Sequence, residues 1–169
     1  MTAIAQVHAQ LKLHIGAQQT VVSTLDTAQV LASDAPISPV ASIVLELGFE
    51  HIAQAHFKRD IPTPLELEHA IQTVEDQVMR ARTVVAPGTW LAGSDANLHE
   101  IVTAAHGHNV LPTVLTLEEV EHTFNRLAAV SLGRPAANEG LPAGKSFAAT
   151  LLILREFMHH LQCPGLHVF

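Results

Sequence analysis

Apolar and polar residues alternating on both sides of one glycine limit most tightly what this chain can become. Leu11, Leu13 and Ile15 are separated by Lys12 and His14, Gly16-Ala17-Gln18-Gln19 turns the chain, and Thr20-Val21-Val22-Ser23 leads it back. A period of two places successive side chains on opposite faces of a strand, so this pattern predicts an antiparallel hairpin. A hairpin tip that cradles phosphate relies on several glycines, because they let backbone N–H groups converge on an anion. This tip has one glycine, followed by Ala-Gln-Gln.

Downstream, Thr27 to Pro39 is a turn-rich connection with Asp34, Pro36, Ser38 and Pro39. Ser42 to Leu47 reads as a third strand that Gly48 ends, and Phe49 to Phe57 as a short helix. Thr63 and Glu66 have capping-box spacing, with Pro64 at the first helical position. Leu67, Ile71, Val74 and Val78 then form a helical stripe, which predicts an amphipathic helix to about Arg82. Thr83-Val84-Val85-Ala86 reads as a short strand stopped by Pro87-Gly88, and Thr89 to Asp95 as a small-residue loop. Leu98, Ile101, Val102 and Ala105 predict the next helix. A second capping box, Thr116 and Glu119, opens another with Val120, Phe124 and Leu127 inward. Gly133 to Gly144 reads as a loop. The last helix, from about Lys145 to Gln162, is apolar far enough round to be buried, and Leu166 to Phe169 reads as a final strand. This order predicts one α/β domain over residues 1–169, a mixed sheet of about five strands flanked by helices, with 1–10 a flexible or edge segment.

The 169 residues are 48% apolar and 15% charged, enough for a full core and unlike a disordered tail. Nine Lys and Arg against 16 Asp and Glu leave a net charge of −7, which argues against nucleic acid or an anionic membrane as partner. The most apolar segment, Phe147 to Leu161, is interrupted by Arg155 and Glu156 and is too short to span a bilayer. Met1 to Gln10 lacks a basic region followed by an apolar one, so a cytoplasmic protein is expected. Cys163 is alone, in a Cys-Pro-Gly turn, and reads as structural.

Twelve histidines raise the question of metal, but their spacing opposes a designed site. His159 and His160 are adjacent on a helix and point in different directions, His51 and His56 are five apart, and His106 and His108, with His99 before them, form no His-Glu-x-x-His pattern. They read as a scattered set whose charge changes steeply near pH 6. Glu66, Glu68, Glu75 and Asp76 are accounted for by capping and solvation. Asp95 and Glu100 are the better acidic candidates, because ligands of such sheets sit beyond the strand ends. Ser94 lacks the elbow context of a nucleophile, and no dinucleotide fingerprint is present. No catalytic residue and no metal ligand is therefore assigned.

Four stretches, in order, form a recognisable series. His14-Ile15-Gly16-Ala17-Gln18-Gln19 is similar to an Asp-Ile-Gly-Gly-Gly-Ser strand-turn-strand. Leu45-Glu46-Leu47-Gly48 and then Asp60-Ile61-Pro62-Thr63 are similar to a strand, Leu-Gly and a proline-rich helix start. Ala86-Pro87-Gly88-Thr89-Trp90-Leu91-Ala92 is similar to a Ser-Gly-Thr loop leading to Leu-Ala, and Leu115 to Leu161 to a capped helix, a Gly-Leu-Pro turn and a buried helix ending His-His-Leu. Together they resemble the second half of the exopolyphosphatase and guanosine-pentaphosphate phosphohydrolase family (Ppx/GppA), of the actin-like ATPases.

The resemblance implies a ribonuclease-H-like half of an actin-type ATPase. It also implies an anion site at the open end of the sheet from Gly16, Gln18, Gln19, Thr20, Gly88 and Thr89. Against that site, Gly16 serves a hairpin and Gly88 a turn. The family's acidic position is His14 here, a poor substitute for a hard cation that prefers oxygen, and Cβ atoms at Ala17 and Gln18 restrict the positive φ of a phosphate nest. The family's catalytic glutamate belongs to a preceding domain and has no counterpart in this sequence, nor does its Gly-Leu-Arg-Glu-Gly stretch. The expectation is a stand-alone, catalytically degenerate module that binds or regulates without a cofactor. It forms a homodimer or meets a partner protein over an exposed domain face. The competing expectation is a phosphohydrolase on polyphosphate or guanosine pentaphosphate that uses Mg²⁺ and residues from another chain; a third is a histidine-based metal sensor.

Overall fold

The computed structural model describes residues 11–24 and 42–169. The expectations for 1–10 and for the Thr27–Pro39 connection fall outside them. Strands β1 (Leu11–Ile15) and β2 (Thr20–Thr24) form the expected hairpin, with Leu13 opposite Val22 and Ile15 opposite Thr20. Leu11, Leu13 and Ile15 are buried and Lys12 and His14 exposed, as the alternation requires. β3 (Ser42–Leu45) pairs antiparallel with β2, and α1 (Phe49–His56) follows. α2 (Pro64–Val78) begins at its capping box, the Glu66 carboxylate accepting the Thr63 N–H at 2.7 Å, and it buries Leu67, Ala70, Val74 and Val78.

The strand expected at Thr83–Ala86 is not formed, and α2 ends before Arg82. Met79–Thr83 tightens into a 3₁₀ turn, and the N–H groups of Val84 and Val85 return to the Ala81 carbonyl at 3.0 and 2.9 Å. Donors committed to a turn cannot join a ladder. The strand lies instead within the segment expected to be a loop: β4 (Leu91–Gly93) sits between β1 and the last strand, parallel to both. All three of its residues are buried, so it has no alternation to display. A Cβ on Gly93 would lie 2.5 Å from Leu98 Cδ1, which explains a small residue there.

α3 (Ala96–His106) leads to β5 (Thr113–Thr116), an edge strand missing from the expected order. β5 runs directly into α4 (Leu117–Ser131) through the Thr116–Glu119 capping box. A short helix, α5 (Ala136–Glu139), occupies part of the expected loop. α6 (Lys145–His160) is the buried central helix, packed against α1, α2, α3 and α4, and β6 (Gly165–Val168) closes the chain. Burial of side chains such as Leu151, Leu154 and Phe157 contributes about 1.5–3 kcal/mol each.

The sheet is mixed and has six strands, one more than expected, in the order β3-β2-β1-β4-β6-β5. On the side of His14 it is less covered: His14, Val21 and Val44 are cross-strand neighbours, and Val44 is 46% exposed. Trp90 lies over Gly165 on this sheet, where a Cβ would come within 2.3 Å of the indole. Among the described residues no helix is long and apolar enough to cross a membrane.

Candidate functional site

β1, β4 and β6 are parallel, so their C-terminal ends form one rim, the ordinary place for a ligand in such a sheet. Asp95, which follows β4, stands at the N-cap position of α3, yet its side chain does not cap the helix. Its Oδ1 lies 2.6 Å from His14 Nδ1 and its Oδ2 accepts the Ile15 N–H at 2.9 Å. A carboxylate on Nδ1 makes that nitrogen the donor and leaves Nε2 as the ring's other polar atom. The Asp95 side chain is 17% exposed and that of His14 53%. On the far side of the rim the Phe169 N–H donates to the Gly93 carbonyl at 3.1 Å, and His99 Nε2 lies 2.8 Å from the Phe169 carbonyl oxygen.

The hairpin tip is closed by the Gly16 N–H donating to the Gln19 carbonyl at 2.9 Å. Its carbonyls then turn toward α1. The Gly16 oxygen accepts the Phe49 N–H at 3.0 Å, and the Ala17 oxygen accepts those of Glu50 and His51 at 2.9 and 3.2 Å. These groups replace the side-chain cap that Gly48 cannot supply. Gly48 is required for the approach: a Cβ there would sit 2.2 Å from the Ala17 oxygen. The buried Thr20 hydroxyl donates to the Leu47 carbonyl, and Gln18 Nε2 reaches Glu50 at 3.4 Å. No tip residue has positive φ, whereas a phosphate nest alternates right- and left-handed residues.

Gly88 and Thr89 lie at the other end of the sheet. Leu91 pairs with Leu11 at the start of β1, and the run from Leu11 to Gly16 spans roughly 16 Å. Gly88, at φ +82°, makes a turn that precedes β4; its N–H donates to the Gln162 carbonyl at 2.9 Å, and the Thr89 hydroxyl donates to Ala86 at 2.6 Å. The six residues expected to share an anion site therefore divide: Gly16, Gln18, Gln19 and Thr20 at the rim, Gly88 and Thr89 opposite. The resemblance placed both loops at one end because β4 was not located.

Of the acidic candidates, Asp95 is at the rim and Glu100 is exposed on α3. Several histidines pair with carboxylates: His106 with Glu119 at 3.1 Å, His159 with Glu121 at 2.8 Å and His160 with Glu156 at 3.0 Å. His159 and His160, expected to point in different directions, meet edge to face with ring centroids 5.2 Å apart. Among the described residues no three His, Cys, Asp or Glu side chains converge as metal ligands. The His14–Asp95 contact went unforeseen, although each residue stood out alone. It depends on β1 and β4 being neighbours, and β4 had no strand signature.

The chain superposes on the Aquifex aeolicus PPX-GPPA enzyme with a TM-score of 0.69 at 15% identity, covering 94% of this chain and 52% of that one. An exopolyphosphatase-like protein gives 0.68 at 13% identity, over 94% of this chain and 54% of its own. An exopolyphosphatase from Cytophaga hutchinsonii gives 0.60 at 12%, over 95% and 53%. The fold is the one these Ppx/GppA and exopolyphosphatase structures share, and the chain spans about half the length of each. No protein-family model matches the chain, and no curated protein sequence is similar to it.

Proposed function

We propose that this chain is a catalytically degenerate module of the Ppx/GppA fold, which binds or regulates and does not hydrolyse phosphoanhydrides. One observation carries this reading: the carbonyls of Gly16 and Ala17 cap α1, so the tip turns acceptors toward the one helix start where a phosphate needs donors. The Asp95 carboxylate at the same rim adds negative charge and is engaged by His14 and the Ile15 N–H. No cofactor is required by this reading; Mg²⁺ enters only with the phosphohydrolase alternative.

The test is calorimetric titration of the whole chain with ATP, guanosine tetraphosphate and short polyphosphate, with and without Mg²⁺. No binding in the micromolar range is expected. Tight Mg²⁺-dependent binding that weakens in Gly16→Ala would overturn the reading in favour of a phosphohydrolase, whose missing parts another chain would supply. The reading also includes self-association. Val44, exposed beside Val21 and His14, belongs to a sheet face that a second copy or a partner protein would cover. A strictly monomeric mass by light scattering across micromolar concentrations would remove the homodimer from it.

A further inference from the structure

At the end of the sheet opposite the rim, a cleft of about 290 Å³ is lined by Arg82, Val85, Pro87, His160, Leu161 and Gln162. Three unusual features meet there. The first is Glu156, the one fully buried charged side chain among the described residues. Its carboxylate pairs with Arg155 and with His160 Nε2, the latter at 3.0 Å, and Glu75 lies 3.8 Å from the same nitrogen. Burying a carboxylate costs several kcal/mol of desolvation, which an apolar side chain would avoid. In return it fixes the imidazole of His160 in the cleft wall.

The second feature is Gln162, the only non-glycine residue with positive φ (54°) among those described. It ends α6 in a left-handed turn closed by the Cys163 N–H donating to Met158 at 2.9 Å, a position where glycine is the ordinary choice. A residue with a Cβ costs about 1 kcal/mol there, and it brings a carboxamide to the cleft. The third feature is Arg82. Neither its guanidinium nor the Gln162 carboxamide has a hydrogen-bond or ion-pair partner among the described residues. Arg155 and Glu156 offset each other, whereas Arg82 has no carboxylate of its own among the described residues.

We propose that this cleft binds a small organic anion. Its carboxylate or phosphate head would lie on the guanidinium fork of Arg82, with His160 and Gln162 offering further polar contacts. Its short apolar body would lie against Val85, Pro87 and Leu161. The proposal uses no residue of the rim and stands apart from the reading given above.

The experiment is an amide NMR titration of the whole chain with n-butyrate, n-butyl phosphate and neutral butyramide. Saturable shifts of the Arg82, Gly88 and Gln162 amides are expected with one or both anions and not with butyramide, and the stronger anion identifies the head group. Arg82→Ala, an exposed position, is expected to weaken binding about tenfold with the rest of the spectrum unchanged. His160→Gln tests the second contact; if it unfolds the chain, Arg82→Ala alone decides. Absence of saturable shifts with both anions, equal shifts with butyramide, or unchanged affinity in Arg82→Ala overturns the proposal. Shifts confined to Ile15, Gly16 and Gly93 overturn it too, and they would locate anion binding at the rim instead.

Discussion

A single carboxylate, Asp95, joins His14 Nδ1 at 2.6 Å while its second oxygen takes the Ile15 N–H at 2.9 Å, tying the end of β1 to the start of α3. Removing it leaves a part-buried backbone donor without a partner. Asp95→Ala is therefore expected to cost about 1–3 kcal/mol, and Asp95→Asn less, because an amide oxygen still accepts the N–H. His14→Ala, which removes a half-exposed ring, is expected to cost no more than about 1 kcal/mol. Urea unfolding of the three variants gives the order; equal losses for His14→Ala and Asp95→Ala would refute the bridging role.

Close approach, not backbone freedom, is what the rim asks of its glycines. Gly48→Ala would drive a Cβ into the Ala17 carbonyl and the Gln18 backbone, and a loss of at least about 3 kcal/mol is expected. In Gly16→Ala the new Cβ meets the Gln19 oxygen at 2.9 Å and His14 Nε2 at 3.1 Å, where the ring can move. A smaller loss of about 1–2 kcal/mol is expected. Thermal melts of both variants check the order.

Acid is expected to destabilise the fold in two steps. Burial first, then repulsion from His69 and His51, lowers the pKa of His56 below its ordinary 6.5, and burial lowers that of His167. The unfolded histidines then bind protons first as pH falls, so their contribution is intact above 6.5 and declines as pH drops from there toward the folded value. For Glu119, burial pushes the pKa up, but the N–H and hydroxyl of Thr116 together with His106 outweigh it and the net direction is below 4.5. Its contribution is present above 4.5 and lost on further acidification. Urea midpoints measured from about pH 8 to about pH 4 should fall, and His56→Gln should flatten the upper step; a midpoint rising through that step would contradict the assignment.

Cys163 is fully buried, and burial pushes its thiol up to about 12. Little thiolate exists in the native state near neutral pH, so a disulfide reagent should react only through unfolding. Native protein is expected to stay unmodified over minutes, with complete labelling in strong urea. Rapid labelling of the native protein would show that this side chain is accessible.

Much of this architecture could be read from residue spacing, because most elements announce themselves locally. Lys12 and His14 alternating with Leu11, Leu13 and Ile15 report a half-buried strand, and the Thr63–Glu66 and Thr116–Glu119 boxes mark two helix starts. Leu91-Ala92-Gly93 gives no such report, since its neighbours, and not its own pattern, make it a strand. That one omission had a further effect: with β4 misplaced to Thr83–Ala86, Gly88 fell beyond a strand end and beside Gly16. The His14–Asp95 contact was hidden for the same reason. The Glu156–His160 pair was hidden for another, because nothing in a helical sequence distinguishes a glutamate held by an adjacent arginine from a solvated one.

Trp90, the only tryptophan of the chain, rests on Gly165 with its ring 5.2 Å from that of His167. The indole thus lies across the junction of β4 and β6, the parallel pair formed by segments far apart in sequence. Its fluorescence is consequently a label-free signal of whether that junction is closed. Because a protonated imidazole quenches indole, the same emission would follow the ionisation of His167, the histidine whose ring the indole meets.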